Sequence, residues 1–162
     1  MQKKQDLAVL QTNGSGVLSF VSGGGKVLQV ITATDSTARN TTSTSFVTVS
    51  NTLSVTITPA SASNKIFVSV SGNIYQAVAN KYTIATIFRG ATDLGASSDR
   101  GLTNLYSGDS DTGASLCMTI LDSPNTTSAT TYQVYFRCTA SGNSYLNEDN
   151  CKASITAFEI KG

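Results

Sequence analysis

The sequence contains no histidine and no tryptophan, and only two of its 162 residues are prolines. Histidine is the side chain that most often transfers protons near neutral pH, so its absence removes the commonest general acid or base. None of the three cysteines belongs to a CxxC or CxxH pair, which leaves no usual zinc-binding set. We therefore expect a protein that is not an enzyme and that holds no metal and no cofactor.

Charge is also scarce, because Asp, Glu, Lys and Arg make up 13% of the residues, against about 25% in an average soluble domain. The formal net charge is +1, so no field of one sign attracts nucleic acid or an anionic membrane. No apolar run approaches the ~18 residues that span a bilayer, which predicts no membrane insertion. A nearly uncharged surface is poorly protected against association, and this favours a chain that is part of an assembly.

The N-terminus indicates where the chain is made, and the cysteines indicate the state of its thiols. After Lys3 and Lys4, the apolar stretch covers only residues 7–10, which is too short for an export signal, so we expect synthesis in the cytoplasm. The cysteines are Cys117, Cys138 and Cys151. Free cysteine behaves as a small core hydrophobe, which predicts buried free thiols, with a Cys138–Cys151 disulfide as the alternative.

Serine and threonine make up over a quarter of the chain and alternate with apolar residues. This alternation is typical of half-buried strands, and no segment has a helical period. The predicted strands are residues 26–34, 45–50, 53–58, 65–76, 82–89, 92–95, 114–121, 130–140 and 153–161. Many short strands with frequent turns predict an all-β fold, an antiparallel β-sandwich or jelly-roll-like knob. Residues 35–44, 99–113 and 141–150 are predicted loops, the last with a short edge at residues 145–146.

Several apolar residues fall on the faces that a sandwich turns outward. In residues 130–140, one face carries Tyr132, Val134, Phe136 and Cys138, which predicts that these four point inward. Phe67, Tyr135 and Phe158 lie on the second faces of their strands, which a sandwich turns outward. The apolar surface of such residues exceeds what one monomer should expose. They motivate the hypothesis that the chain associates with itself.

Residues 1–25 differ from the rest and predict an N-terminal β-hairpin arm with a glycine-rich linker before the knob of residues 26–162. Asn13-Gly14 lies between two apolar runs, which is a strong hairpin signal. An isolated hairpin is marginal in water, so its apolar side chains need a partner. The residues predicted to dock the arm onto a virion are Leu10, Val17, Leu18 and Phe20.

A series of short motifs resembles the C-terminal β-sandwich domain of tailed-bacteriophage fibre and virion surface proteins. The motifs are residues 25–30 (GKVLQV), 42–47 (TSTSFV), 53–59 (LSVTITP), 63–68 (SNKIFV), 88–90 (FRG), 93–95 (DLG), 131–135 (TYQVY) and 154–160 (SITAFEI). Residues 9–20 (VLQTNGSGVLSF) resemble the linker that precedes this domain. The resemblance implies an all-β virion protein, a homotrimer that contacts other virion proteins and has no enzymatic role. The long shaft that precedes the domain in fibres is not present in this sequence.

Two functions follow from this resemblance. In the first, the knob is the tip of a short tail fibre or appendage and contacts the host receptor. In the second, it is a capsid decoration protein that stabilises the head shell. A secreted carbohydrate-binding module is a third class, which the lack of tryptophan and of an export signal disfavours.

The two longest predicted loops motivate a hypothesis of receptor contact, with host surface polysaccharide as the partner. Aromatic and amide side chains on loops give contact area and hydrogen bonds at low entropic cost. The candidate residues are Tyr106, Asp109, Asp111, Asn143, Tyr145 and Asn147. Residues 109–113 do not complete a calcium loop, and residues 23–26 lack the spacing of a phosphate-binding loop. Because the carboxylates of this region lie in predicted loops, we expect them to be solvated and not to form a catalytic pair.

Overall fold

The computed structural model describes residues 8–12, 18–22, 26–95 and 99–162. They form strands and one short 3-10 turn, Glu148–Asn150. The first seven strands are β1 (Ala8–Thr12), β2 (Leu18–Ser22), β3 (Val27–Asp35), β4 (Arg39–Thr41), β5 (Val47–Thr48), β6 (Ser54–Ile57) and β7 (Lys65–Gln76). The others are β8 (Lys81–Arg89), β9 (Thr92–Asp93), β10 (Thr103–Ser107), β11 (Thr112–Asp122), β12 (Thr130–Cys138), β13 (Ser144–Leu146) and β14 (Ala153–Ile160).

Two antiparallel sheets form a β-sandwich, as the alternation predicts. In sheet I, β3, β14, β7 and β11 lie side by side, while β13 continues the line of β14 along β7 and has β4 as its other neighbour. In sheet II, the order is β10, β8 and β12, with β5 and β6 on the far side of β12 and β9 beside β8. The prediction of an all-β antiparallel sandwich is therefore confirmed.

The core lies between the sheets and is built by alternation. Tyr132, Val134, Phe136 and Cys138 are buried, as predicted for one face of β12. Tyr132, Val134 and Phe136 belong to one core cluster with inward residues of sheet I, among them Ile66, Val68, Val70, Leu116, Met118, Ile155 and Ala157. Every second residue of these strands consequently points away from the core, and this parity fixes which side chains the outer faces carry.

Hydrogen-bonded polar groups, partly or fully buried, join the two sheets at one end of the sandwich. Asp122 of β11 accepts hydrogen bonds from Arg89 Nη1 of β8 (2.9 Å) and from Tyr132 Oη of β12 (2.7 Å). Burial and the hydrogen bond to Asp122 together raise the pKa of Tyr132, so its hydroxyl stays a donor. The three groups clamp sheet I to sheet II.

Three sequence predictions are corrected. Residues 99–113 and 35–44 were expected to be loops, yet they contain β10 and β4. Neither strand has the apolar alternation that predicts a strand from sequence. β10 has a single apolar inward residue, Leu105, and β4 is held mainly by pairing with β13. Of the cysteines, only Cys138 is buried, whereas Cys117 and Cys151 are exposed free thiols.

The N-terminal hairpin forms as predicted. β1 and β2 pair antiparallel, with Leu10 opposite Phe20, in a two-stranded sheet of their own. Val17 and the Asn-Gly turn lie outside the described residues, as do the side chains of Leu10, Leu18 and Phe20. Docking of the arm therefore remains a prediction.

Candidate functional site

The outer face of sheet I carries the most unusual surface of the described residues. Because Ile66, Val68 and Val70 point into the core, the alternate residues Phe67, Ser69 and Ser71 of β7 point outward. Strand register then aligns the outward residues of β3, β14, β7 and β11 in rows across the sheet. The face is therefore described best row by row.

The first row is apolar across all four strands. Its members in register are Val30, Phe158, Phe67 and Leu121. Val30 is 54% exposed and Leu121 is 53% exposed, while the rings of Phe67 and Phe158 lie 5.9 Å apart between them. Val27, Leu28 and Ile160 extend this surface toward the start of β3. These seven residues are called the apolar band.

The next two rows carry small, uncharged side chains. One row is Thr32, Thr156, Ser69 and Thr119, and the other is Thr34, Ser154, Ser71 and Cys117. Neighbouring hydroxyls bond to each other, Thr32 to Thr156 at 2.7 Å and Ser71 to Ser154 at 2.9 Å. These hydroxyl rows and the first row carry no charged side chain, so most of the face is electrically neutral.

At the far end of the same face, two tyrosines lie side by side. Tyr145 of β13 and Tyr75 of β7 are in register, with ring centroids 5.6 Å apart at an interplanar angle of 72°. Tyr75 Oη donates to Asp111, and Asn143 Nδ2 donates to Tyr145 Oη (2.9 Å). The strand partner of Tyr75 on β11 is Gly113. Tyr75, Asp111, Gly113, Asn143 and Tyr145 are called the tyrosine shelf.

The shelf and the apolar band mark opposite ends of β7. Phe67 and Tyr75 are eight residues apart, which corresponds to ~27 Å along a strand. The chain enters the sandwich at the band end, where Lys161 N donates to Lys26 O (2.7 Å). Lys65 lies at the margin of the band, beside Ile160.

Electrostatics make the shelf acidic. The hydrogen bond to Asp111, together with partial burial and the neighbouring negative charges, raises the pKa of Tyr75 to about 12. Burial raises the pKa of Glu148, and the charges of Asp149 and Asp111 raise it further. Asp111 and Glu148 thus place negative charge close to Tyr75.

Beneath the band end, a buried carboxylate fixes the backbone. Glu159 of β14 accepts hydrogen bonds from Gln29 Nε2, Ala60 N and Asn64 Nδ2, each at 2.6 Å. Burial alone would raise the pKa of Glu159, but these donors outweigh it and hold the pKa below its ordinary value. The carboxylate ties β3, the turn before β7 and the last strand together, and so supports the band from inside.

The residues predicted for receptor contact divide into separate groups. Asp111, Asn143 and Tyr145 meet at the tyrosine shelf. Asn147 is buried, and its Nδ2 donates to Asp35 O (3.2 Å), so this side chain supports the loop from inside. Asp109 lies in the turn after β10, where its carbonyl oxygen accepts from Ser107.

Tyr106 lies on the other sheet, away from the shelf. Its ring contacts Tyr82 at 4.8 Å, and its hydroxyl donates to Asn80 Oδ1 at 2.8 Å. The guanidinium of Arg100 covers Tyr82 at 4.1 Å. Sequence reasoning missed two shelf residues, Gly113 and Tyr75, although the parity of Tyr75 with Phe67 along β7 could have identified it as outward-facing.

Within the described ranges, no group of three His, Cys, Asp or Glu side chains could hold a metal ion. The same part of the chain contains no helix long and apolar enough to cross a membrane. A surface groove is lined by Arg89, Gly90, Pro124, Thr126 and Thr131 among others. Its cation, Arg89, is already paired with Asp122. The uncharged face of sheet I is therefore the leading candidate for an interaction site.

No family model matches the sequence, and no curated protein matches it. The chain is similar to a structure of the Gx strain of infectious bursal disease virus, with a TM-score of 0.47 and 14% identity over 91% of this chain and 40% of that chain. It is similar to the VP2 subviral particle of the same virus, with a TM-score of 0.43 and 12% identity over 96% of this chain and 43% of that one. It spans less than half of the length of these solved chains.

Proposed function

We propose that this chain is a non-enzymatic structural protein of a virus particle, a surface knob that associates with copies of itself. The observation that carries the proposal is the outer face of sheet I, where an apolar band adjoins two uncharged hydroxyl rows. Exposed apolar patches of this kind mark interaction sites on soluble proteins. The occupant that we propose for this face is a second copy of the chain.

Self-association suits this face because the face has no charge pattern that a different partner would have to match. Like charges, which would oppose the meeting of identical surfaces, are absent from its three central rows. The apolar band and the two hydroxyl rows extend along β7 from residue 65 to residue 71. Four strands at ~4.8 Å spacing and ~20 Å of length give a flat area of about 400 Å². A standard interface buries about 800 Å² per partner, so the face supplies about half of one such contact.

The finer assignment is a tail fibre or appendage tip in a tailed bacteriophage, as a homotrimer. It is supported by the ordered series of fibre-like motifs and by the hairpin that precedes the band end of the sandwich. In this proposal, residues 1–25 dock onto other virion proteins through Leu10, Val17, Leu18 and Phe20, and the shelf end contacts the host. A capsid decoration protein is the alternative, since the same face could pack copies against each other on a shell.

Two native cysteines of the chain can be labelled to test the proposed contact. Cys117 lies in the second hydroxyl row, whereas Cys151 is equally free but follows the 3-10 turn outside the rows. We expect the rate of maleimide labelling at Cys117, read by mass spectrometry, to fall as the protein concentration rises through the micromolar range. The rate at Cys151 should stay constant. Equal rates at all concentrations would argue against a contact through this face.

Sedimentation of designed variants tests the same contact independently. Phe158→Thr and Val30→Thr remove apolar area from the band but keep good strand formers, and we expect them to shift the protein toward monomer. Tyr135→Thr is the matched control, because it removes an outward aromatic ring from sheet II. A stable wild-type monomer throughout the micromolar range would contradict the proposal.

The place on the particle is tested separately. A density map of intact particles would locate the knob, and quantitative mass spectrometry would give its copy number. A fibre tip predicts few copies per particle. A decoration protein predicts a copy number comparable to that of the shell protein, and particles that burst more easily without it.

A further inference from the structure

We propose that the tyrosine shelf binds an uncharged glycan, with Tyr75 as the stacking surface, Tyr145 as its support and Asp111 as an acceptor for sugar hydroxyls. The inference deepens the proposed function, because it rests on the band end being occupied in an assembly and the shelf end being free. The ~27 Å between the two ends of β7 keeps them apart.

The first argument is the shape left open beside Tyr75. A Cβ atom placed on Gly113 would lie 3.6 Å from Cδ2 of Tyr75. Any larger side chain at this position would therefore lie along the ring, and glycine leaves that side of the ring uncovered. The Tyr145 ring, at 72° to it, packs on the opposite side of Tyr75, because β13 and β11 flank β7 on opposite sides. Tyr145 therefore supports the Tyr75 ring, and a small ring-shaped ligand can stack on the side that Gly113 leaves open.

The second argument is that both rings are held in place before any ligand arrives. Asp111 fixes the hydroxyl of Tyr75, and Asn143 fixes that of Tyr145. Ordering a free side chain on binding costs about 0.5–1.5 kcal/mol, so rings that are already fixed avoid this cost. Tyrosine gives a large, rigid contact area together with a polar end.

The third argument concerns the chemistry of the rim. A sugar presents C–H groups on its ring faces and hydroxyl groups around its edge. The aromatic faces of the shelf suit the C–H groups, and the carboxylate of Asp111 accepts hydrogen bonds from hydroxyls. The negative charges of Asp111 and Glu148 lie close to Tyr75, and they repel uronic acids, sialic acids and phosphorylated sugars. The ligand class is therefore a neutral glycan.

The other exposed tyrosine cluster lacks these properties and serves as a control. On sheet II, Arg100 covers the ring of Tyr82, so that face is already occupied. Tyr106 is 47% exposed, and its hydroxyl is bonded to Asn80. Truncating Tyr106 removes a comparable exposed ring without touching the shelf.

The test is ligand-observed saturation-transfer NMR on the full chain, with maltotriose and chitotriose as neutral probes and trigalacturonate as the anionic probe. We expect at least one neutral probe to bind and trigalacturonate not to bind. Gly113→Val should weaken binding by about tenfold or more, equivalent to ~1.4 kcal/mol, because the new side chain covers Tyr75. Asp111→Asn should also weaken it, and asparagine tolerates the positive φ of 64° at this position. Tyr106→Ala should leave it unchanged.

Two results would overturn the inference. The first is that neither neutral probe binds, and the second is that Gly113→Val and Asp111→Asn bind like the wild type. Valine favours strands, so we expect Gly113→Val to fold, and its thermal unfolding curve checks this. Sedimentation of the same samples separates the two proposals. Intact self-association without glycan binding would reject only the shelf, whereas glycan binding by a monomer would reject only the contact between copies.

Discussion

At the scale of single residues, two buried carboxylates organise the ends of the sandwich. Asp35 ends β3 and accepts hydrogen bonds from Thr37 N (2.9 Å) and Arg39 Nε (3.2 Å). Burial acts to raise the pKa of Asp35, but the Thr37 amide and the other donors around it lower the pKa from 3.8 to about 2. Glu159 does the same at the band end. Both groups are therefore ionised in the folded state.

These carboxylates predict a loss of stability in acid. A carboxyl whose folded pKa is depressed stabilises the protein fully above its unfolded pKa and loses that contribution as the pH falls through the folded pKa. We expect the free energy of unfolding to decrease as the pH is lowered from about 4 to about 2, the interval set by Asp35. Urea unfolding at stepped pH measures this. Asp35→Asn should flatten the profile in this interval, and an unchanged slope would contradict the assignment.

Glu159→Gln tests the second carboxylate, and Glu148→Gln is its control. At Glu159 the new amide group would face three donors that need an acceptor, so we expect a loss of about 1–3 kcal/mol in the free energy of unfolding. At Glu148, burial and two neighbouring carboxylates disfavour the charge, so neutralisation should be neutral or slightly stabilising. Urea unfolding near pH 7 distinguishes these signs. Equal effects of the two changes would reject the role given to Glu159.

At the scale of elements, the strand that best matches its sequence pattern is β7. It was predicted and observed over residues 65–76, because buried apolar residues at every second position from Ile66 to Val70 specify both its conformation and its faces. β10 was missed, since its pairing with β8 and its contact with the core outweigh a polar sequence. Short strands depend on their neighbours more than on their own residues.

The clamp between β11, β8 and β12 gives a prediction at this scale. Arg89→Met would leave Asp122, whose side chain is 10% exposed, with only the Tyr132 hydroxyl as a partner from sheet II. An uncompensated buried charge is costly, and because Arg89 is partly exposed we expect a loss of about 1–3 kcal/mol. Tyr132→Phe, which leaves the ion pair, should cost about 1 kcal/mol. Urea unfolding checks the order, and a smaller loss for Arg89→Met than for Tyr132→Phe would contradict it.

At the scale of the whole molecule, one sheet has an apolar end and an acidic aromatic end. The contact that we propose between copies uses side chains without charge, so salt should not screen it. We expect the dissociation constant from sedimentation to stay constant or to decrease when sodium chloride is raised. Sodium sulfate, which is excluded from protein surfaces, should tighten association further. Marked dissociation at high salt would indicate a charge-driven contact and contradict the use of this face.

The sequence by itself determined the fold class, the parity of the long strands and the scarcity of charge. Each of these depends on residue type and on a period of two, which a single chain displays directly. The hairpin was also readable, because Asn13-Gly14 between apolar runs is a local signal. The sequence further indicated that Phe67 and Phe158 lie on a second face.

The tertiary structure alone decided which outward residues meet. Val30, Phe67, Leu121 and Phe158 become one row only through the register of four strands that are distant in the sequence, and no local pattern encodes that register. Tyr75 joins Tyr145, Asp111 and Asn143 for the same reason, while Asn147, four residues after Asn143, turns inward. The sequence predicts which side chains point outward, and pairing between distant strands decides which of them lie together on one surface.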